Sequence, residues 1–154
     1  MGVNDIFQEV PLDQIVSLAD RGDVGACVKV GYRYLHGHAA TRDERKAVEY
    51  FKKAGSRSAP AMAWLYFIEI ACRKKPYAAC DGLAKLRTVA ATGDATAKTL
   101  LGRCYQLGFG GLAKSTDAAE KLYSLAAGEF ARAQTHLAEV QIEQHKYAEA
   151  IPLL

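Results

Sequence analysis

Residues of the types that do chemistry are scattered along this chain, and their spacing decides what each can do. The run Gly108-Phe109-Gly110-Gly111-Leu112-Ala113-Lys114-Ser115 departs from the phosphate-loop pattern G-x-x-x-x-G-K-[ST] at one position, where Ala113 replaces the second Gly. That pattern works when a strand leads into the loop and backbone N–H groups cradle phosphate at a helix start. Here a helical pattern leads in, so the glycines read as turn formers and no nucleotide is expected. His36 and His38 lie two apart, while His136 and His145 are distant in sequence and no acidic cluster accompanies them. This is too little for a metal site. The cysteines, Cys27, Cys72, Cys80 and Cys104, form no C-x-x-C and have no identifiable base, so they read as small buried thiols. The eight-residue spacing of Cys72 and Cys80 leaves a disulfide across a turn open. Neither H-E-x-x-H nor G-x-S-x-G occurs, and no catalytic pair of carboxylates can be named. The expectation is a chain with no catalytic residue, no cofactor and no metal.

Chemistry being absent, the elements that would position a surface come next. The chain has 154 residues, half of them apolar and 24% charged, which is the composition of a globular domain spanning 1–154 or a piece of a longer chain. No stretch approaches the roughly 18 apolar residues of a membrane span, so no membrane insertion is expected. The opening MGVNDIFQEV carries two acids and no base, unlike a signal peptide. A cytoplasmic location is expected, with a periplasmic one as the alternative if a leader has been removed. A net charge of +3 is too small to argue for nucleic acid. The charge is unevenly spread: residues 1–23 hold five acids and one base, residues 24–103 fifteen bases and six acids, and residues 104–154 four bases and six acids. Such a gradient steers a partner or simply solvates helices.

The sequence repeats itself. GDVGACVKVGYRYLHG (22–37) aligns with GDATAKTLLGRCYQLG (93–108) at a spacing of 71, and AVEYFKKA (47–54) with AEKLYSLA (119–126) at 72. A worn copy lies halfway, with Ala61 and Leu65 following Ala26 and Val30, and Ala133 and Leu137 following Ala97 and Leu101. The underlying period of 35–36 belongs to helix-hairpin repeats. Ala26, Val30, Gly31 and Tyr34 fall on one face of a first helix, and Ala47, Phe51 and Ala54 on one face of a second. Gly31 and Gly102 each cost about 1 kcal/mol inside a helix relative to Ala, which is reasonable where a neighbouring backbone approaches closely. Helices are predicted over about 11–21, then in pairs over 24–36 and 43–54, 59–72 and 77–92, 94–107 and 116–127, and 130–144 and 146–154. Asp23 and Asp94 stand at N-cap positions. Gly37, Gly55, Gly93, Gly108 and Gly128 stand at helix ends.

The run A-x-x-x-L-G-x-x-Y-x-x-G, followed by a loop and D-x-x-K-A-x-x-Y-F-x-x-A, resembles the Sel1-like repeat, a relative of the tetratricopeptide repeat. Ala97, Leu101, Gly102, Tyr105, Gly108, Asp117, Ala119, Tyr123 and Ala126 carry it, as do Ala26, Val30, Gly31, Tyr34, Gly37, Asp43, Lys46, Ala47, Phe51 and Ala54. Two departures stand out. Tyr66 and Glu69 replace the Gly and Tyr of the 59–92 unit, whose helices are joined by the short RKKP, and the last unit has the short turn of an ordinary tetratricopeptide repeat. The resemblance implies an all-α, right-handed α/α superhelix (solenoid) of about four helix-hairpin repeats with a partial N-terminal helix. It also implies a protein–protein interaction module, a scaffold, adaptor or regulator of the kind common in bacteria, and no enzyme.

In such solenoids the first helix of each unit lines the concave face. Taking Gly31 and its equivalents as reference, the residues expected to face a partner protein or peptide are Tyr32, His36, Phe67, Ile70, Arg103, Gln106, Glu139 and Glu143, with Ala71 and Leu107 beside them. Two other functions fit the resemblance: an immunity-type inhibitor that grips a toxin, and a β-lactam- or cell-wall-binding hydrolase. The cysteine-rich relatives that suggest the second carry a Cys pair in every unit. Here only Cys72 and Cys80 have that spacing. The apolar end Ile151-Pro152-Leu153-Leu154 is an expected site of self-association, since solenoid ends need covering.

Overall fold

A computed structural model describes residues 10–72 and 81–144. Among these, every regular element is helical. The α-helices are α1 (Leu12–Asp20), α2 (Val24–His36), α3 (Glu44–Ala54), α4 (Ala59–Cys72), α5 (Gly82–Ala91), α6 (Ala95–Leu107), α7 (Thr116–Ala126) and α8 (Ala131–Glu143), with short 3₁₀ turns at Gly55–Arg57 and Phe109–Gly111. The predicted boundaries that fall on described residues hold to within a few residues, and the predicted start of the 77–92 helix lies outside them. The 146–154 helix, His145, the Cys72–Cys80 pair, the RKKP connection and the apolar C-terminal end lie outside the described residues. The chain divides into two compact units, residues 1–61 and 62–154.

Local chemistry sets the helix ends. Asp23 and Asp94 cap α2 and α6 as expected, each carboxylate accepting the N–H three residues on, Ala26 at 2.6 Å and Ala97 at 2.7 Å. Three further caps follow the same physics: Asp43 on α3 (3.1 Å), Ser58 on α4 (3.2 Å) and Ser115 on α7 (3.2 Å). Gly37 and Gly108 close α2 and α6 in the left-handed conformation at φ 72° and 73°, where a side chain would be strained. A second bond then brings the chain back. The Asp43 N–H donates to Tyr34 O at 2.8 Å, and the Ser115 N–H to Tyr105 O at 3.0 Å. Each hairpin thus re-enters from the same carbonyl of its first helix, and the residue that makes the bond also caps the second.

In the first unit α2 packs between α1 and α3. Its core is Ile15, Ala19, Ala26, Cys27, Val30, Ala47, Phe51 and Ala54, all buried. Asp20 at the end of α1 is held by Lys53 of α3 (2.9 Å), whose ammonium lies 4.4 Å from the Tyr50 ring centroid, and Tyr50 stacks with Tyr34 at 6.1 Å. In the second unit α6 packs against α5 and α7, and α7 against α8. Ala119, Tyr123, Leu137 and Val140 form one buried cluster there, and Ala95, Ala126 and Ala133 another.

The two intra-helical glycines turn out to face an aromatic ring, not a backbone. A Cβ on Gly31 would sit 2.7 Å from Phe51 Cε1, and one on Gly102 would sit 2.7 Å from Tyr123 Cε1. Phe51 and Tyr123 are fully buried, so neither ring can swing aside. The unit that departs from the pattern carries other residues at the same two places. Tyr66 stands where the glycine would be, and the fully buried Leu86 stands at the position of the ring. These contacts predict that Gly102→Ala destabilises the chain by about 1–3 kcal/mol through overpacking, although Ala is the better helix former by about 1 kcal/mol. Gly128→Ala, with nothing within 4 Å, should change the urea unfolding midpoint little; equal effects of the two substitutions would contradict the ring contact.

Candidate functional site

The glycine loop and the buried cysteines serve the structure. Gly108–Ser115 is the loop joining α6 to α7. Gly110 (φ 68°) brings the backbone against Ile70 and Leu83, where an added Cβ would lie 3.3 and 3.4 Å away, and Ser115 Oγ is committed to the α7 cap. A helix, not a strand, precedes the loop. Cys27 is fully buried, its thiol 3.5 Å from Ala19 O, and burial pushes its pKa up, the reverse of an activated thiolate. Cys104 is also fully buried. His36 and His38 flank the left-handed Gly37 with ring centroids 6.0 Å apart and Tyr32 beside both, at 4.4 and 6.0 Å. Among the described residues no three His, Cys, Asp or Glu side chains converge as metal ligands would.

Most of the expected partner-facing residues do reach the surface. In the first unit Tyr32 and His36 are half-buried on α2 and form the aromatic cluster just described. In the second unit Phe67 is half-buried between Trp64 (6.0 Å, edge-on) and Phe109 (6.1 Å). Arg103 and Gln106 are half-buried on α6, and Glu139 and Glu143 are exposed on α8. Ile70 is corrected: at 2% exposed it belongs to the core under the Gly110 turn, beyond any partner's reach. Its helix, APAMAWLYFIEIAC, is apolar on all sides, so periodicity alone does not distinguish its faces.

Two residues that sequence reasoning did not place in the site organise its second-unit part. Tyr123 Oη donates to Gln106 Oε1 at 2.8 Å. Burial pushes the phenol far above its ordinary pKa, with the nearby Arg103 guanidinium opposing, so the hydroxyl keeps its proton. His136 of α8 lies 5.3 Å from the Tyr123 ring centroid, and its Nδ1 is 3.0 Å from Glu139 Oε2. The same carboxylate oxygen is 3.8 Å from Arg103 Nη1, an ion pair too long to be a hydrogen bond. The signal for Tyr123 was present: the position reads Tyr in this repeat and Phe51 in the other, and only the hydroxyl distinguishes them.

A family model described as "Sel1 repeat" matches residues 24–58 and 95–128, the two segments whose glycine and ring interlock. Among solved structures, a Sel1 repeat protein from Oxalobacter formigenes is 25% identical with a TM-score of 0.51, over 83% of this chain and 53% of its own. A protective antigen present in uropathogenic Escherichia coli strains, displaying an SLR fold, is 26% identical with a TM-score of 0.53, over 88% of this chain and 29% of its own. The chain thus spans about half of the first relative and less than a third of the second. No curated protein matches it. No helix among the described residues is long and apolar enough to cross a membrane.

Burial lowers the His136 pKa from its ordinary 6.5, the hydrogen bond to Glu139 opposing the shift only in part. A histidine whose folded pKa is depressed binds its proton more readily when unfolded, so it destabilises the fold as pH drops through the unfolded value. The stability of the chain should therefore fall below about pH 6.5, and His136→Gln should remove part of that fall. An unchanged pH profile of the melting temperature in the variant would refute this.

Proposed function

Because the chain belongs to the Sel1-like repeat family, we propose that it is a protein-interaction module in which the first-helix faces of its repeats, α2 and α6 with α8, bind a partner protein or peptide. Sel1 repeats generally mediate protein–protein interaction and the family is typically a non-catalytic scaffold. The observation that carries the reading is how differently the two sides of α2 and α6 are used. One side is closed by the ring of the following helix against Gly31 or Gly102. On the remaining surface stand Tyr32 and His36 in one repeat and Arg103 and Gln106 in the other, half-buried. Rigid aromatic and Arg side chains that are partly desolvated before binding are the usual energetic anchors of protein interfaces. They lose little conformational freedom when a partner covers them.

The neighbouring charges favour a polypeptide over a polyanion. Glu139 and Glu143 are exposed on α8, next in line to Arg103. A nucleic acid backbone would meet these carboxylates, whereas a peptide carries groups of both signs. Tyr32→Ala combined with Arg103→Glu should weaken binding to a partner captured from the native organism by at least about tenfold, as read by calorimetry, while circular dichroism remains that of the parent. Retained affinity in the folded double variant would remove these faces from the site.

A further inference from the structure

The two matched repeats differ at one functional atom. Phe51 and Tyr123 fill the same slot over Gly31 and Gly102, but only Tyr123 ends in a hydroxyl. That hydroxyl passes beside Gly102 to the half-buried side chains of α6. It donates to Gln106 Oε1 at 2.8 Å, and the Arg103 guanidinium reaches it as well. Arg has donors only, so the phenol oxygen accepts from Arg103 and must pass its own hydrogen on to an acceptor, the carbonyl end of Gln106. The amide is thereby fixed, with the two N–H donors of Nε2 directed off that bond. Gln106 and Arg103 are three residues apart and share one helix face. Glu139, 3.8 Å from Arg103, is close enough to attract the guanidinium but not to saturate its five N–H groups, and His136 holds that carboxylate at 3.0 Å. Leu107 is partly exposed beside them.

Resting on the interaction reading above, we propose that Tyr123 is a positioning residue that makes Arg103 and Gln106 a paired-donor site for one carboxylate side chain of a partner peptide, with the Leu107 surface taking an adjacent apolar residue. A carboxylate fits because it accepts through two oxygens and brings the charge that Arg103 lacks at hydrogen-bonding distance. The 24–58 repeat has no counterpart of the hydroxyl, so the polar anchor lies in the 95–128 repeat alone.

The experiment uses the whole chain and a peptide array in which each spot pairs a central Glu with the isosteric Gln inside varied apolar flanks, N-acetylated and C-amidated. Glu peptides should bind about tenfold tighter than their Gln partners. Tyr123→Phe should bring that ratio close to one while leaving helix content intact, since Phe51 already fills the same slot in the other repeat. A ratio that survives Tyr123→Phe overturns the positioning role. Binding without Glu-over-Gln discrimination overturns the carboxylate site and leaves the interaction reading standing. No binding of any spot overturns both, and displacement of bound Glu peptides by single-stranded oligothymidylate at equal concentration replaces the site with general polyanion attraction.

Discussion

The fit of a buried aromatic ring against a helix that lacks a side chain is the constraint on which both matched repeats depend. A glycine in mid-helix is a local cost in backbone entropy. It is offset by the burial of a whole ring from the next helix, at a separation that even one methyl group would violate. Phe51 and Tyr123 have no exposed surface, so each brings about its full hydrophobic contribution, a few kcal/mol. The interlock is steric as well as apolar, and so it sets register: a shift of either helix by one residue puts a Cβ into the ring. The unit with Tyr66 and Leu86 has a large residue on the first helix and a smaller one on the second. That pair is bulkier than a glycine with a ring, so the interlock of the matched repeats is not repeated there.

Much of this architecture was legible in the sequence because it rests on local rules. Asp23 and Asp94 stand just before apolar helical patterns, Gly37 and Gly108 just after them, and capping chemistry does not depend on what lies across the fold. Asp43, Ser58 and Ser115 obey the same rule. They were harder to see because they follow irregular loops, where the start of the pattern is blurred. For Gly31 and Gly102 the sequence gives the small residue, which fits a close backbone approach as well as a ring, but not which group fills the space beside it. Ile70 was misplaced for a different reason: α4 is apolar nearly all the way round, so its faces are fixed only by its neighbours. The network of Tyr123, Gln106, Arg103, Glu139 and His136 joins three helices, and such tertiary coincidences leave no periodic trace in the chain.

The same network links stability to surface chemistry in the second unit. The phenol that seals the α6–α7 contact also orients a side chain on the outer face of α6, and the imidazole packed beside it steadies a carboxylate on α8. Groups that hold the repeat together thus limit how the exposed polar atoms can point. A site built this way is pre-organised by the fold itself, so little ordering remains to be done when a ligand arrives.

The pairing of a return bond with a cap in each hairpin loop has an evolutionary corollary. Tyr34 and Asp43 are nine residues apart and Tyr105 and Ser115 ten, yet the same carbonyl and the same capping position are used. The extra residue is absorbed where Gly110 and Gly111 adopt positive φ, which accounts for the slip in repeat spacing from 71 to 72. A one-residue insertion between those two anchor points is thereby decoupled from helix register, so these loops can change length while the scaffold beneath them stays put.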